Sequence, residues 1–303
     1  MAFRIRPAKP FRAEFLAVAK DQLSAAITTL TQQPDGPHAA IHAARKRFKR
    51  LRALYRLVEP DAKAFRRAEN ARIRDMAHTL SAVRDATALV ETMDYLAQVA
   101  VSAEEFAALT FASRTLVARR DRISSEESDL PQKIDHAVET CRAAMEALDG
   151  LDLADGRGRT ARRLAKVWKK QSHKARLALA HCLETHTAEA FHDLRKCGQT
   201  SWMHLTLLRE IWPAAMRARQ EEAKQLVDLL GHEHDLTVLT QTVNESPDMF
   251  GDSDTLALLL GAIINRQQTV REQALALAAQ VFADDPEREA VIISVLWSKA
   301  ATA

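Results

Sequence analysis

The residues of this chain that are most able to do chemistry lie in one segment without acids. From Ile41 to Leu57 the sequence reads IHAARKRFKRLRALYRL, which holds seven Lys or Arg, one His and no Asp or Glu. Successive residues of a helix are 100° apart, so most of these cations form a stripe along one face. Like charges at this spacing repel one another, so the stripe indicates a polyanion-binding site without saying which polyanion. Its residues are His42, Arg45, Lys46, Lys49, Arg52 and Arg56.

A second basic segment follows later in the chain. No acid occurs from Gly156 to Leu183, and the cations of this stretch also fall in one arc of a helix. Ordinary solvated faces mix Glu with Lys, whereas this face has no acids at i+4 to neutralise it. We therefore expect it to bind a polyanion together with the first stripe. Its residues are Arg159, Arg162, Arg163, Lys166, Lys169, Lys170 and His173.

Apolar residues lie across the helix from each basic face, as they do in helices that cover a core. We expect the following side chains to be buried: Ala44, Phe48, Leu51, Tyr55 and Val58 in the first segment, and Leu164, Trp168 and Ala175 in the second.

The composition predicts an almost purely helical protein. The chain has 303 residues, of which 47% are apolar and 27% charged, and it has only eight Gly and nine Pro. Most of the apolar residues are Ala and Leu, which favour helices. Apolar residues recur at spacings of three and four residues, as they do along one face of a helix. This pattern predicts helices at 11–33, 38–58, 62–98, 103–127, 132–148, 158–184, 188–210, 214–244, 253–283 and 286–300.

Other features indicate the compartment. The N-terminus is basic but is not followed by the apolar core of a secretory signal. The longest apolar run, Leu256–Ile264, is too short to span a bilayer. The scattered spacing of Cys141, Cys182 and Cys197 suggests neither a disulfide framework nor a zinc site. We therefore expect a reduced, cytoplasmic protein that does not enter a membrane.

The chain repeats itself at an offset of 150 residues. Ile41–Lys46 aligns with Phe191–Lys196, and Leu80–Asp85 aligns with Leu230–Asp235, without a gap. Chance alignment of His, Arg, Lys and Asp in this order is improbable, so we predict an internal duplication. The predicted fold is all-α, with two pseudo-twofold-related helical bundles in one domain, formed by residues 1–152 and 153–303.

The repeat adds candidate residues. His192, Arg195 and Lys196 occupy the positions of His42, Arg45 and Lys46 in the second copy. An imidazole can donate a hydrogen bond to a phosphate oxygen, as Arg and Lys can. We also predict that two repeated acids, Asp85 and Asp235, orient Arg45 and Arg195 through ion pairs.

These motifs resemble the CHAD family, which is named for its conserved histidines and α-helical fold. The resemblance spans about residues 5–300, and the end of the chain, with Val281-Phe282-Ala283 and Trp297, also resembles the end of that domain. The motifs that carry it are His42-x-x-Arg45-Lys46, Leu80-x-x-x-Arg84-Asp85, His192-Asp193-Leu194-Arg195-Lys196 and Leu230-Gly231-His232-Glu233-His234-Asp235-Leu236.

The resemblance implies a basic surface that binds inorganic polyphosphate, and some members of the family associate with polyphosphate granules. We expect no catalysis and no cofactor. It places binding on the first stripe, on Arg163, Lys166 and Lys170 of the second basic face, and on the three residues of the second copy. One difference limits the symmetry: Gln199, Trp202 and Thr206 stand where the first copy has Lys49, Arg52 and Arg56.

Two other functions remain open from the sequence. The basic helices could bind single-stranded nucleic acid, although Trp202 is the one aromatic residue placed to stack on a base. The pairs His192-Asp193 and His234-Asp235 resemble the metal-binding pairs of HD phosphohydrolases, but adjacent helical residues point about 100° apart. Of the three functions, the sequence favours non-enzymatic binding of polyphosphate.

Overall fold

The computed structural model describes residues 3–80 and 82–302, and it confirms the all-α class. Within those residues the regular structure consists of eleven α-helices and two short 3-10 helices, Arg209–Ile211 and Pro247–Phe250, with no strand. The α-helices are α1 Phe11–Gln32, α2 Pro37–Arg56, α3 Lys63–Thr79, α4 Ala82–Ala97, α5 Ala103–Glu126, α6 Leu130–Asp149, α7 Arg157–Thr185, α8 Ala188–Leu207, α9 Pro213–Glu245, α10 Ser253–Val281 and α11 Pro286–Ala300.

Helices α5, α8, α10 and α11 begin after residues whose side chains accept hydrogen bonds from the first N–H groups. Ser102 Oγ accepts a hydrogen bond from Glu105 N at 3.1 Å before α5, and Asp252 Oδ1 accepts one from Thr255 N before α10. The two basic helices, α2 and α7, instead follow Gly36 and Gly156, whose φ angles are 87° and 119°. Only glycine adopts such angles without strain, so both basic helices begin directly after a sharp turn.

The predicted helix at 62–98 is wrong, because the structure has two helices there, α3 and α4. Ser81, in the middle of that prediction, lies outside the described residues. The chain changes packing partners at this point: Ile73 of α3 belongs to the cluster around α1, α2 and α6, whereas Met93 of α4 packs with α5, α9 and α10. A single straight helix could not pack against both clusters.

Among the described residues, three apolar clusters form the core. The first two contain residues from both halves of the chain. The first joins α1, α2, α3 and α6 to parts of α7, α8 and α11; the second joins α4 and α5 to α9 and α10. The third lies among α7, α8, α9 and α10. Helices of the two predicted halves, residues 1–152 and 153–303, pack against each other. The division into these halves stays a prediction.

The apolar sides of the basic helices are buried as predicted, including Phe48, Tyr55 and Trp168. Because these side chains are buried, the cationic side of α2 points away from them and faces α8. The two helices are joined by His204 of α8, whose Nε2 lies 3.0 Å from Ala53 O of α2. A carbonyl oxygen only accepts, so this nitrogen is the donor.

No helix in the described ranges combines the length and the apolar character that a transmembrane segment needs.

Candidate anion-binding surface

A cationic cleft runs between α2 and α8, and we call it the central cleft. It encloses about 440 Å³ of open space. Four of its lining residues come from α2 and four from α8, so the cleft exists only because these helices meet. They are Lys49, Arg52, Ala53, Arg56, Lys196, Gln199, Thr200 and Met203.

Helix α3 holds two arginines of the α2 stripe in position. Arg45 Nη1 donates to Ala77 O at 2.6 Å, and Arg52 Nε donates to Asn70 Oδ1 at 3.0 Å. Both partners are neutral, so they orient the guanidinium groups without neutralising their positive charge. In residues 3–80 and 82–302, neither arginine forms an ion pair within 4.0 Å, and the same holds for Lys49, Arg56 and Arg195.

Lys49 lies where the cations of three helices converge. Its side chain is exposed to solvent, but the protein packed around it, together with the charges of Arg195 of α8, Arg45 of α2 and Arg84 of α4, lowers its pKa to about 8, against the opposing effect of Asp235. Burial likewise lowers the pKa of Arg195, and Arg195 Nε is buried without a hydrogen-bond partner. Unpartnered buried donors and repelling charges are costly, and an anion bound here would relieve both.

Two histidines meet at the edge of this cluster. The rings of His192 on α8 and His234 on α9 are 5.1 Å apart. Burial, Arg195, His192 and Lys49 lower the pKa of His234 to about 4, and burial, Lys196 and Arg195 lower that of His192. Both imidazoles are therefore neutral near pH 7. The Nδ1 atom of His192 is buried and has no partner, so it is one more polar group available to a ligand.

The predicted ion pairs to the repeated acids are not formed in the described part of the chain. No carboxylate oxygen of Asp85 or Asp235 lies within 4.0 Å of Arg45 or Arg195, although each acid does favour the charged form of its arginine. Burial raises the pKa of Asp235 despite Arg195 nearby. These acids therefore moderate the positive field of the cleft at longer range.

The basic face of α7 differs from the prediction that it would be unneutralised. Three of its cations pair with carboxylates from other segments, because a helix face that carries no acids can still meet acids of other segments once the chain folds. Lys169 Nζ lies 2.6 Å from Glu287 of α11, and Lys170 Nζ lies 2.9 Å from Glu59.

Arg163 is the third, and it is buried. Its guanidinium lies 2.5 Å from Asp61 Oδ2, donates to Ala154 O at 2.8 Å and stacks over the Phe11 ring at 4.9 Å. Only 1% of its side chain is exposed. These contacts join α7 to α1 and to the segment after α2, which is a structural role. No ligand can reach this side chain in this arrangement.

The other predicted residues lie outside the lining of the cleft, except for Lys196. Arg159, Arg162 and Lys166 are exposed on α7, and Lys46 is exposed on α2. Lys196 lines the cleft but pairs with Asp193 at 2.8 Å in a solvent-exposed contact, which is a weak interaction. His42 is half-buried, and burial, Arg84 and Lys46 lower its pKa.

Sequence reasoning missed several cations that the tertiary structure adds to the surface. Arg66 of α3 is close enough to Arg56 to lower its pKa, and Arg74 acts in the same way on Arg52. Arg84 lay within a repeated motif but was not assigned a role. The basic run of α3 could have indicated Arg66 and Arg74, and the repeated Leu-x-x-x-Arg-Asp pattern could have indicated Arg84. No local sequence feature indicated that His234 would contact His192.

Comparison with protein families supports the resemblance seen in the sequence. The model of the CHAD domain family matches residues 15–244, about three quarters of the chain. The matched range contains α2, α8 and the central cleft, and it ends before Val281 and Trp297, so the similarity read at the end of the chain lies outside it. No curated protein matches the chain. Since the match covers well over half of its length, the chain belongs to the CHAD domain family.

Proposed function

We propose that this protein binds inorganic polyphosphate along the central cleft, without a catalytic step. The observation that supports this most is the row of cations on α2: no carboxylate of the described residues forms an ion pair with them, and neutral partners hold Arg45 and Arg52. Polyphosphate is a linear chain with about one negative charge per unit, and a helix presents a new residue on one face about every 5.4 Å. A row of cations therefore suits a linear anion better than a compact one.

The chemistry of the individual residues agrees with this ligand. Arg52 and Arg56 can grip phosphate oxygens in pairs, and Lys49 supplies a point charge. Arg45, Arg195 and Lys196 extend the row, and His42, Lys46 and His192 flank it. From α7 we retain the exposed cations at its surface and leave out Arg163, which is enclosed by Asp61, Ala154 and Phe11.

Binding should be tested by titrating long-chain polyphosphate into the protein at rising salt concentration. Contacts between cations and a polyanion release counterions, so the affinity should fall steeply, by about 0.7–0.9 log units per contact for each tenfold rise in salt. An affinity that does not depend on salt would contradict the proposal.

We also propose that the two halves arose by duplication, as the repeated motifs predict. Adding 150 to the bounds of α1, α2 and α5 gives 161–182, 187–206 and 253–276, which correspond to α7, α8 and α10. The same offset carries α3 and α4 onto the two parts of α9. The cleft would then be built from α2 and its own second copy, α8.

Single-stranded nucleic acid is the main competitor for the same cations. Binding of bases needs exposed aromatic rings, yet Phe48, Tyr55 and Trp168 are buried. Trp202 is partly exposed, but Lys224 Nζ lies 5.9 Å from its ring centre and covers one face. In a competition experiment we expect polyphosphate to displace RNA of equal charge, and the reverse result would favour nucleic acid.

Hydrolysis is a less favoured function because of the field around the histidines. His192 and His234 lie next to Arg195 and Lys49, which repel a metal cation. We expect no phosphate release from polyphosphate with Mg²⁺ or Mn²⁺. Release that is lost in His192→Ala would establish catalysis instead. A fluorescent fusion would test the further proposal that the protein associates with polyphosphate granules.

A further inference from the structure

The row of cations on α2 ends at a carboxylate. Helix α2 ends at Arg56, and Glu59 follows one turn later, with its backbone N–H donating to Arg56 O at 3.2 Å. The Glu59 side chain is only 15% exposed, and its Oε1 accepts a hydrogen bond from Lys170 Nζ of α7 at 2.9 Å. Glu59 therefore lies between the last cation of the central cleft and the basic face of α7.

Three cations surround this one carboxylate. Burial alone would raise the pKa of Glu59, but the hydrogen bond from Lys170 and the charges of Arg66 and Arg56 lower it below the usual value. Glu59 is thus a mostly enclosed, ionised carboxylate among an excess of positive charge. A phosphate group of a bound chain would be attracted to the same place by the same three cations.

The segment that carries Glu59 is held in place by other contacts. Asp61 pairs with buried Arg163, and Ala62 N donates to Val58 O at 2.8 Å. Arg163 and Lys170 are seven residues apart on α7, so the segment meets α7 at two points two turns apart. Because Asp61 is held by the buried guanidinium of Arg163, the loss of the Glu59 charge should leave the segment where it is.

We propose that Glu59 is an intramolecular anion that competes with the ligand and defines the end of the binding row. This inference rests on the proposed binding of polyphosphate in the central cleft. A polyphosphate chain that reaches Arg56 meets a carboxylate of its own sign and must displace it to extend onto Lys170. Glu59 therefore separates the central cleft from α7 and limits how much of a chain the protein covers.

The test is a titration of long-chain polyphosphate into the full-length Glu59→Gln variant at several salt concentrations. Gln keeps the shape of the side chain but removes the charge. We expect affinity about fivefold tighter than wild type, as the exposed Lys170 is released from its ion pair. The salt dependence should also become steeper by about one unit, because one more cation contacts the ligand. Glu59→Ala should show the same gain.

The matched control is Glu287→Gln. It removes the same charge from the carboxylate that pairs with the neighbouring Lys169, but Glu287 is not among the groups that act on Arg56. We expect less than a twofold change in this variant, a difference typical of exposed surface pairs. Thermal unfolding of all three variants would verify that the fold is kept.

The outcomes separate this inference from the proposed function. If wild type does not bind polyphosphate, the proposed function fails. If wild type binds and Glu59→Gln and Glu59→Ala bind equally or more weakly, the competition by Glu59 is overturned while the proposed function stands. Equal gains in the Glu59 and Glu287 variants would also overturn it, since net charge alone would then explain them.

Discussion

The two basic helices of this protein look alike in sequence but differ in the folded molecule. On α2, Lys49, Arg52 and Arg56 line a cleft and have no acidic partners among the described residues. On α7, Lys169 and Lys170 pair with carboxylates of other segments. An acid-free helix face is therefore a reliable sign of local charge, but whether the charge is available to a ligand depends on the segments that pack beside it.

The segments that pack beside each helix account for this difference. Helix α2 faces α8, whose residues in the cleft are Lys196, Gln199, Thr200 and Met203, none of them acidic. Helix α7 packs closely against α11, which begins with an acidic first turn. Acids at the start of a helix stabilise its positive end, so the composition of α11 serves its own stability and supplies Glu287, which pairs with Lys169 of α7.

The largest effect expected from this comparison is on affinity. Replacing Lys49, Arg52 and Arg56 together by Gln should weaken polyphosphate binding by on the order of 1,000-fold, since each hydrogen bond to a charged group contributes about 1.5 kcal/mol. The measurement is a binding titration at fixed salt.

The control makes the same charge change on α7, in a variant with Arg162, Lys166 and Lys169 replaced by Gln. We expect less than about a fivefold loss, as is usual for charges at the rim of a site. Equal losses in the two triple variants would show that the comparison is wrong and that only net charge matters.

Arg163 should contribute to stability instead of binding. Arg163→Met keeps much of the volume but leaves Asp61 and Ala154 O without their donor, so the free energy of unfolding should fall by about 2–3 kcal/mol. Denaturant unfolding measures this, and the affinity of the folded variant should be unchanged. The neighbouring exposed Arg162→Met should change stability by less than about 0.5 kcal/mol. A selective loss of affinity in Arg163→Met would contradict the structural role.

The affinity of the central cleft should depend on pH through Lys49. Its pKa is about 8 in the free protein, and a bound polyanion would raise that pKa by favouring the ammonium form. The complex therefore holds more protons than the free protein above pH 8, so affinity should fall as pH rises, by up to about tenfold between pH 7 and 9.

Titrations at constant ionic strength would measure this dependence. His192 and His234 are neutral throughout this range, because both of their pKa values are lowered. In Lys49→Arg the cation no longer titrates, and the profile should become flat. A slope that persists in this variant would assign the proton to another group.

The smallest expected effect concerns the α8 side of the cleft. Gln199 lines the cleft at the repeat position of Lys49. Gln199→Lys should tighten binding about threefold and make the salt dependence steeper by about one unit. The expected gain is modest because the new charge also meets repulsion from the cations already present. Trp202→Lys gives a comparison outside the lining of the cleft, and an equal gain there would argue against a defined path for the ligand.

Much of this arrangement could be read from the sequence, because it depends on local periodicity. The three- and four-residue spacing of apolar residues located Phe48, Tyr55 and Trp168 in the core, and most of the predicted helices agree with the structure within a few residues. The failure at 62–98 has a physical cause. Helical periodicity continues through that stretch, and only the separate packing of α3 and α4 shows that the helix is interrupted.

The candidate site was predicted less completely. The α2 cations were found because they are adjacent in sequence, but Arg66, Arg84 and His234 join them only through folding. The role of Arg163 could not be predicted from the sequence either, because its ion pair with Asp61 connects positions about a hundred residues apart.

The sequence by itself determined that the chain is helical, which helix faces are apolar and where positive charge is concentrated, because each of these follows from residue types at fixed helical spacing. Only the tertiary structure decided which charges remain available. Electrostatic pairing acts over a few ångströms in space, and the carboxylates of Glu59, Asp61 and Glu287 come close to α7 only after distant segments pack together. The same packing left the α2 row without an ion pair to any carboxylate of residues 3–80 and 82–302, and so open to a ligand.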